Sequence, residues 1–116
     1  MTTLHPSIQK WFDVWESGKL EELPVTDDFS HTSPFGTIAP KSAYLEIVSK
    51  NRAEFLGNVF TILDQIQEGN KLVVRYDLSN KNTGLEMRVC ECYELEGDLI
   101  NEIHAYYNIG NAEIKA

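Results

Sequence analysis

The sequence predicts an α+β domain in which helices come first and a strand meander follows. Two patterns carry that reading. Ile8, Trp11, Phe12 and Trp15 recur at i, i+3, i+4 and i+7, the spacing of a helix with one apolar face. From Asn58 onward the period changes, and four apolar-rich runs are separated by short turns that each contain a glycine. Helices followed by consecutive strands imply helices covering one face of a curved antiparallel sheet.

Each element has a local justification. Pro6 suits the first turn of the first helix, and Gly18 suits its stop. Residues 19–23 allow one more helical turn before Pro24 closes it. In the strand Asp28-Phe29-Ser30-His31-Thr32-Ser33, alternation puts Phe29, His31 and Ser33 on one face. Pro34 and Gly36 then turn the chain. Pro40 opens a second long helix, running through Tyr44, Leu45, Ile47 and Val48 towards Phe55 and ending near Gly57.

Residues 59–67, 72–78, 85–95 and 99–107 are the four strand runs, separated by turns of hairpin length at 68–70, 79–84 and 96–98. They are expected to form one four-stranded antiparallel sheet over residues 58–108. A chain of 116 residues is one domain, 1–116, with a single core.

Charge narrows the function classes. Ten Lys and Arg against 18 Asp and Glu give a formal charge of -8, so the basic footprint of a nucleic-acid-binding protein is missing. The same balance disfavours anionic membrane surfaces. No apolar run approaches the roughly 20 residues needed to span a bilayer. The opening Met1-Thr2-Thr3-Leu4-His5-Pro6 lacks the basic and apolar regions of a signal peptide, which points to a cytoplasmic protein.

Cys90 and Cys92 are spaced C-x-C, outside the redox and zinc pattern C-x-x-C. On a strand they point the same way, with Cα atoms roughly 6.5–7 Å apart, at or beyond the comfortable disulfide limit. They read as two reduced thiols. His5, His31 and His104 are scattered, so neither a metal nor a cofactor is expected.

Two residues interrupt apolar company. His31 is an imidazole beside Phe29 and Ser33 on a pocket-forming strand, able to act as acid, base or hydrogen-bond donor. Glu91 shares a strand face with Met87, Val89, Tyr93 and Leu95. A carboxylate buried there must be hydrogen-bonded, ion-paired or protonated. The structural alternatives for Glu91 are a solvated face or an ion pair. Arg75 is the better-placed partner for such a pair, because Arg88 falls on the opposite face of its strand.

The whole arrangement resembles the nuclear-transport-factor-2-like superfamily, and within it the SnoaL-like and ketosteroid-isomerase-like branch. The resemblance is carried by Trp11 to Trp15 with Gly18-Lys19-Leu20, and by Asp27-Asp28-Phe29 through Ser33-Pro34-Phe35-Gly36. Cys92-Tyr93-Glu94-Leu95-Glu96-Gly97-Asp98-Leu99-Ile100 and the closing Glu102 to Asn108 extend it over nearly the whole chain. It implies a cone-shaped α+β barrel, commonly dimeric, with a ligand cavity between sheet and helices.

Mapped onto that family, Ser33 stands where the isomerases carry a catalytic aspartate, and Trp11 where they carry a tyrosine donor. Glu91 falls at the position of their protonated aspartate. The departures at Ser33 and Trp11 argue against steroid isomerisation by that mechanism. The resemblance implies a small hydrophobic molecule held by Trp11, Phe29, Ser33, Phe35, Tyr44, Tyr93 and Tyr107, with His31 and Glu91 as the candidate catalytic pair. Isomerase, cyclase, dehydratase or epoxide-hydrolase chemistry is the first reading. A non-catalytic ligand-binding or dimeric interaction module is the second. The opposite sheet face, with Cys90, Cys92, His104 and Tyr106, holds more apolar surface than a solvated face usually does, so a homodimer through it is expected.

Overall fold

The computed structural model describes residues 3–108, apart from the side chains of residues 54 and 55. Helix α1 spans Pro6–Ser17 and starts where the sequence places it, with the His5 Nδ1 accepting from the Ser7 N–H at 3.2 Å. It ends at Gly18, whose φ of 81° lies in the left-handed region that favours glycine, and whose N–H donates to the Val14 carbonyl at 2.8 Å. Its inner stripe of Ile8, Trp11, Phe12 and Trp15 is buried. A 3-10 turn over Leu20–Glu22 follows.

Strand β1, Val25–Ser33, is longer than the sequence reading. The Pro34-Phe35 turn leads into a further short strand, β2 at Gly36–Ile38, before any helix begins. The second helix is also broken in two. Helix α2 covers Lys41–Lys50 and α3 covers Arg52–Phe55, with Asn51 between them. The Asn51 amide donates to the Ile47 carbonyl at 2.8 Å, so a side chain competes with the helix for its own acceptor.

The meander forms as expected, with β3 at Val59–Glu68, β4 at Lys71–Asn80, β5 at Leu85–Glu96 and β6 at Leu99–Tyr107. Its pairs are all antiparallel. The sheet is larger than that meander, however. Its order is β2-β1-β6-β5-β4-β3, and β1 pairs with β6 in parallel. The result is a six-stranded, mixed and unclosed sheet rather than an all-antiparallel one. Register irregularities at Ile62/Asp64, Glu94/Leu95 and Val25/Ser30 bend it, because a bulge adds a residue to one strand and increases the local twist.

The helices lie on the concave face of this sheet. There Trp11, Phe12, Trp15, Phe29 and Tyr44 meet Val74, Tyr76, Val89 and Tyr93 in one core. Phe12 packs edge-on against both Phe60 and Tyr76, at centroid separations of 5.2 and 5.0 Å. Strand β5 carries the burial rhythm most plainly. Val89, Glu91, Tyr93 and Leu95 are buried, while Cys90, Cys92 and Glu94 between them are half-buried.

Asn80 locks the wide end of the meander. Its carbonyl oxygen accepts from the N–H groups of Asn82 and Thr83, and its amide donates to Asn58 at 2.9 Å. Those bonds fix the 81–84 turn against the start of β3. Asn80→Ala removes these hydrogen bonds, so it is expected to cost about 1–3 kcal/mol in urea unfolding without changing the helix and strand content.

Candidate functional site

Between the concave sheet face and the helices lies an open cavity of about 520 Å³. Strand β1 supplies His31 and Ser33, and the turn after it supplies Phe35. Helix α1 contributes Trp11 and Trp15, and α2 contributes Tyr44, Ile47 and Val48. From the sheet come Phe60 on β3, Tyr76 and Leu78 on β4, Met87, Val89 and Glu91 on β5, and Ala105 and Tyr107 on β6. At the rim, Phe35 is 58% exposed while Tyr44 deeper in is 4% exposed, so the wall grades from open to closed.

Both candidate catalytic residues therefore reach one cavity, together with Trp11, Ser33, Phe35, Tyr44 and Tyr107. Phe29 and Tyr93 do not line it. Phe29 is fully buried behind the wall, with its ring centroid 6.1 Å from Trp11 and 5.2 Å from Tyr44. Tyr93 is buried, and its hydroxyl meets the site at Glu91. Strand alternation gives the face of a side chain but not its depth, and these two lie one layer down.

Glu91 is the chemical centre of the cavity. It is 4% exposed, and the Tyr93 hydroxyl donates to its Oε1 at 2.5 Å. The Tyr76 hydroxyl is a second donor to the same carboxyl. Burial raises its pKa from 4.5 to about 7, and the two tyrosine hydrogen bonds only partly offset that rise. Burial, and after it the Glu91 charge, pushes the phenols of Tyr44, Tyr76 and Tyr93 well above their ordinary value. They stay protonated and serve as donors.

The ion pair with Arg75, one structural alternative for Glu91, is not formed. Arg75 lies on the convex face and binds Asp64 through two guanidinium nitrogens. Arg88 binds Asp77 on the same face at 2.8 Å. The register explains both pairings, because Arg75 sits opposite Asp64 and Asp77 opposite Arg88.

His31 has the opposite electrostatic fate from Glu91. Burial, followed by the repulsion of nearby His104, lowers its pKa to about 4, so it is a neutral imidazole at physiological pH. Its ring lies 5.2 Å from that of Tyr44, at 30°. A base this weak is poorly suited to take a proton at neutral pH, whereas Glu91 titrates where proton transfer is easiest in both directions.

Sequence reasoning missed Tyr76, the second donor to Glu91. A signal existed: Leu72, Val74, Tyr76 and Leu78 alternate on β4 as the β5 residues do. Pairing across the 81–84 turn sets Val74 opposite Glu91 and Tyr76 opposite Val89, one step along the same face. Ala105 pairs with Glu91 from the other side, and its small side chain leaves the carboxyl open to the cavity.

The convex face carries the remaining candidates. Cys90 and Cys92 are half-buried free thiols, and burial followed by the neighbouring Cys90 raises the Cys92 pKa, so that thiol is protonated and unreactive. The His104 imidazole meets Glu102 at 2.7 Å, and Tyr106 is 58% exposed. Among the described residues there is no cluster suited to a metal ion, and no helix long and apolar enough to cross a membrane.

The raised Glu91 pKa has a thermodynamic consequence. An acid that binds its proton more tightly folded than unfolded favours folding at low pH. That contribution fades as pH rises from about 4.5 to about 7, above which the folded protein holds a buried charge. Glu91→Gln keeps the shape and removes the charge. Its stability relative to the parent protein is expected to rise by roughly 2–3 kcal/mol between pH 5 and pH 8, at about 1.4 kcal/mol per pKa unit, in paired urea melts. His31 titrates in both proteins and cancels from the difference.

Comparison with known proteins agrees with this architecture. A hypothetical protein with a ketosteroid isomerase-like fold from Catenulispora acidiphila, solved with trimethylamine, superposes with a TM-score of 0.78 at 16% identity, over 92% of this chain and 88% of its own. An NTF2-like protein of unknown function from Cytophaga hutchinsonii gives 0.76 at 16% identity, over 93% and 92%. A candidate isomerase of the SnoaL-like family from Agrobacterium tumefaciens gives 0.72 at 12% identity, over 89% and 95%. No functionally curated protein is significantly similar in sequence. Identities this low establish the fold alone. The sequence profile of the SnoaL-like domain matches residues 8–103, and the chain belongs to that family.

Proposed function

We propose that this protein binds a small hydrophobic molecule in the cavity and moves a proton on it, with Glu91 as the transferring group. The observation that carries this reading is a single carboxyl, buried at the wall of an aromatic cavity and held by Tyr93 and Tyr76, that titrates at about pH 7. A general acid–base group works best when its pKa lies near the working pH, because it then gives and takes a proton with similar ease. Isomerase, cyclase and dehydratase reactions share such a step, the removal of a proton from carbon, which then goes to another carbon, to a carbonyl oxygen or to a departing hydroxyl. The names and bound guest of the related structures support a small organic ligand.

Glu91 accepts and returns the proton, and neutral His31 hydrogen-bonds the ligand's polar group. The Trp11 indole N–H and the Ser33 hydroxyl orient the ligand, and Tyr44, Phe35 and Tyr107 exclude water. The open cavity favours this over a purely structural module, which would fill the space with side chains. The convex face is the proposed contact with a second copy. It exposes Ile66 and Tyr106 next to half-buried Cys90 and Cys92, and a monomer by sedimentation at micromolar concentration would contradict that contact.

Solvent-exchange NMR tests the chemistry without knowledge of the natural substrate. The protein is incubated in D2O with enones, 1,3-dicarbonyls and amino ketones, and deuterium uptake at carbon is followed. Protein-dependent uptake that falls at least about tenfold in Glu91→Gln, and less in His31→Ala, is the expected result. Equal uptake in folded Glu91→Gln, or none with any compound, overturns the catalytic reading and leaves a ligand-binding module.

A further inference from the structure

Among the described residues, Glu91 is surrounded by hydroxyls and rings but by no cation. Tyr93 from its own strand, Tyr76 from β4, Tyr44 from α2, His31 from β1 and Tyr107 from β6 are the titratable groups around it on the cavity face. Near neutral pH His31 is uncharged, and Tyr44, Tyr76 and Tyr93 keep their protons. None of the described lining residues is a lysine or arginine. Arg75 and Arg88 are held on the convex face by Asp64 and Asp77. An ionised Glu91 therefore has no counter-ion among the described residues.

The walls offer the other half of a recognition site. Trp11, Trp15, Phe60 and Tyr107 give the cavity a lining rich in π systems, which attract organic cations most strongly where water is excluded. The chain's net charge of -8 raises the local concentration of cations. A volume of about 520 Å³ admits a ligand well beyond an inorganic ion.

We infer that the cavity takes a hydrophobic amine, bound as its ammonium ion against the Glu91 carboxylate with its carbon skeleton on the aromatic walls. This rests on the cavity being a small-molecule site and names the class of molecule. A bound cation favours ionised Glu91. A neutral ligand gains nothing from the charge, and one that accepts a hydrogen bond from the Glu91 carboxyl favours its protonated form. The sign of the pH dependence separates the two.

Calorimetric titration of the intact protein with benzyltrimethylammonium, a permanent cation, and with 4-phenyl-2-butanone, a neutral ketone, tests this at pH 5, 6, 7 and 8. The cation has no titration of its own, so any pH dependence belongs to the protein. Its affinity is expected to rise at least about tenfold from pH 5 to pH 8, following the ionised fraction of the site. It is expected to fall to the pH 5 level or below in Glu91→Gln. The parent protein's pH profile decides the matter even if that variant does not fold. Binding of the ketone but not the cation overturns the amine assignment and leaves the small-molecule site standing. Cation affinity that is flat or falls with pH also overturns it, because Glu91 is then not the anchor. Binding of neither probe at millimolar concentration overturns both readings.

Discussion

A carboxyl group beneath two tyrosine hydroxyls, walled in by aromatic side chains, is the constraint around which this small domain is organised. Burying it is costly whenever it is charged, and no arginine or lysine lining the cavity relieves that cost. The Tyr93 and Tyr76 hydroxyls supply partial compensation, enough to hold Glu91 in place and too little to keep it ionised below neutrality. The balance leaves a group poised between two protonation states. It faces a cavity rather than packed core.

The rest of the fold maintains that poise. Pairing with Val74 on one side and Ala105 on the other centres Glu91 in the sheet. The bulges curve the sheet so that α1 and α2 span it without filling the space between. Phe29, fully buried behind Trp11 and Tyr44, sets the position of the wall without touching a ligand. Arg75 on the neighbouring strand β4 and Arg88 on β5 itself are kept on the convex face by Asp64 and Asp77, so neither brings positive charge to the cavity.

Much of this was legible in the sequence because it depends on period and punctuation. The stripe of α1 and its stop at Gly18, the four meander strands, and the inward side of Glu91 all follow from local rules, and all match the structure. What was not legible depends on partners distant in sequence. Nothing in the alternation of β1 says that it will lie parallel to β6, and the apolar pattern of the second helix does not mark Asn51 as its break. Tyr76 as a second donor required the register across the 81–84 turn. The weakness of His31 as a base required its depth and the nearness of His104. Residue type named the candidates, and only the tertiary environment tells how each one holds its proton.

Direct observation of the Glu91 carboxyl decides whether this account is right. The side chains are labelled with carbon-13, and Glu91 is identified as the carboxyl resonance missing from Glu91→Gln. Its chemical shift is then followed from pH 4 to pH 9. A midpoint near 7, at least about one and a half units above an exposed glutamate, is the result the account requires. A midpoint in the ordinary carboxylate range, near 4.5, would mean that Glu91 is ionised and solvated in the folded protein. The centre of the proposed site would then be lost.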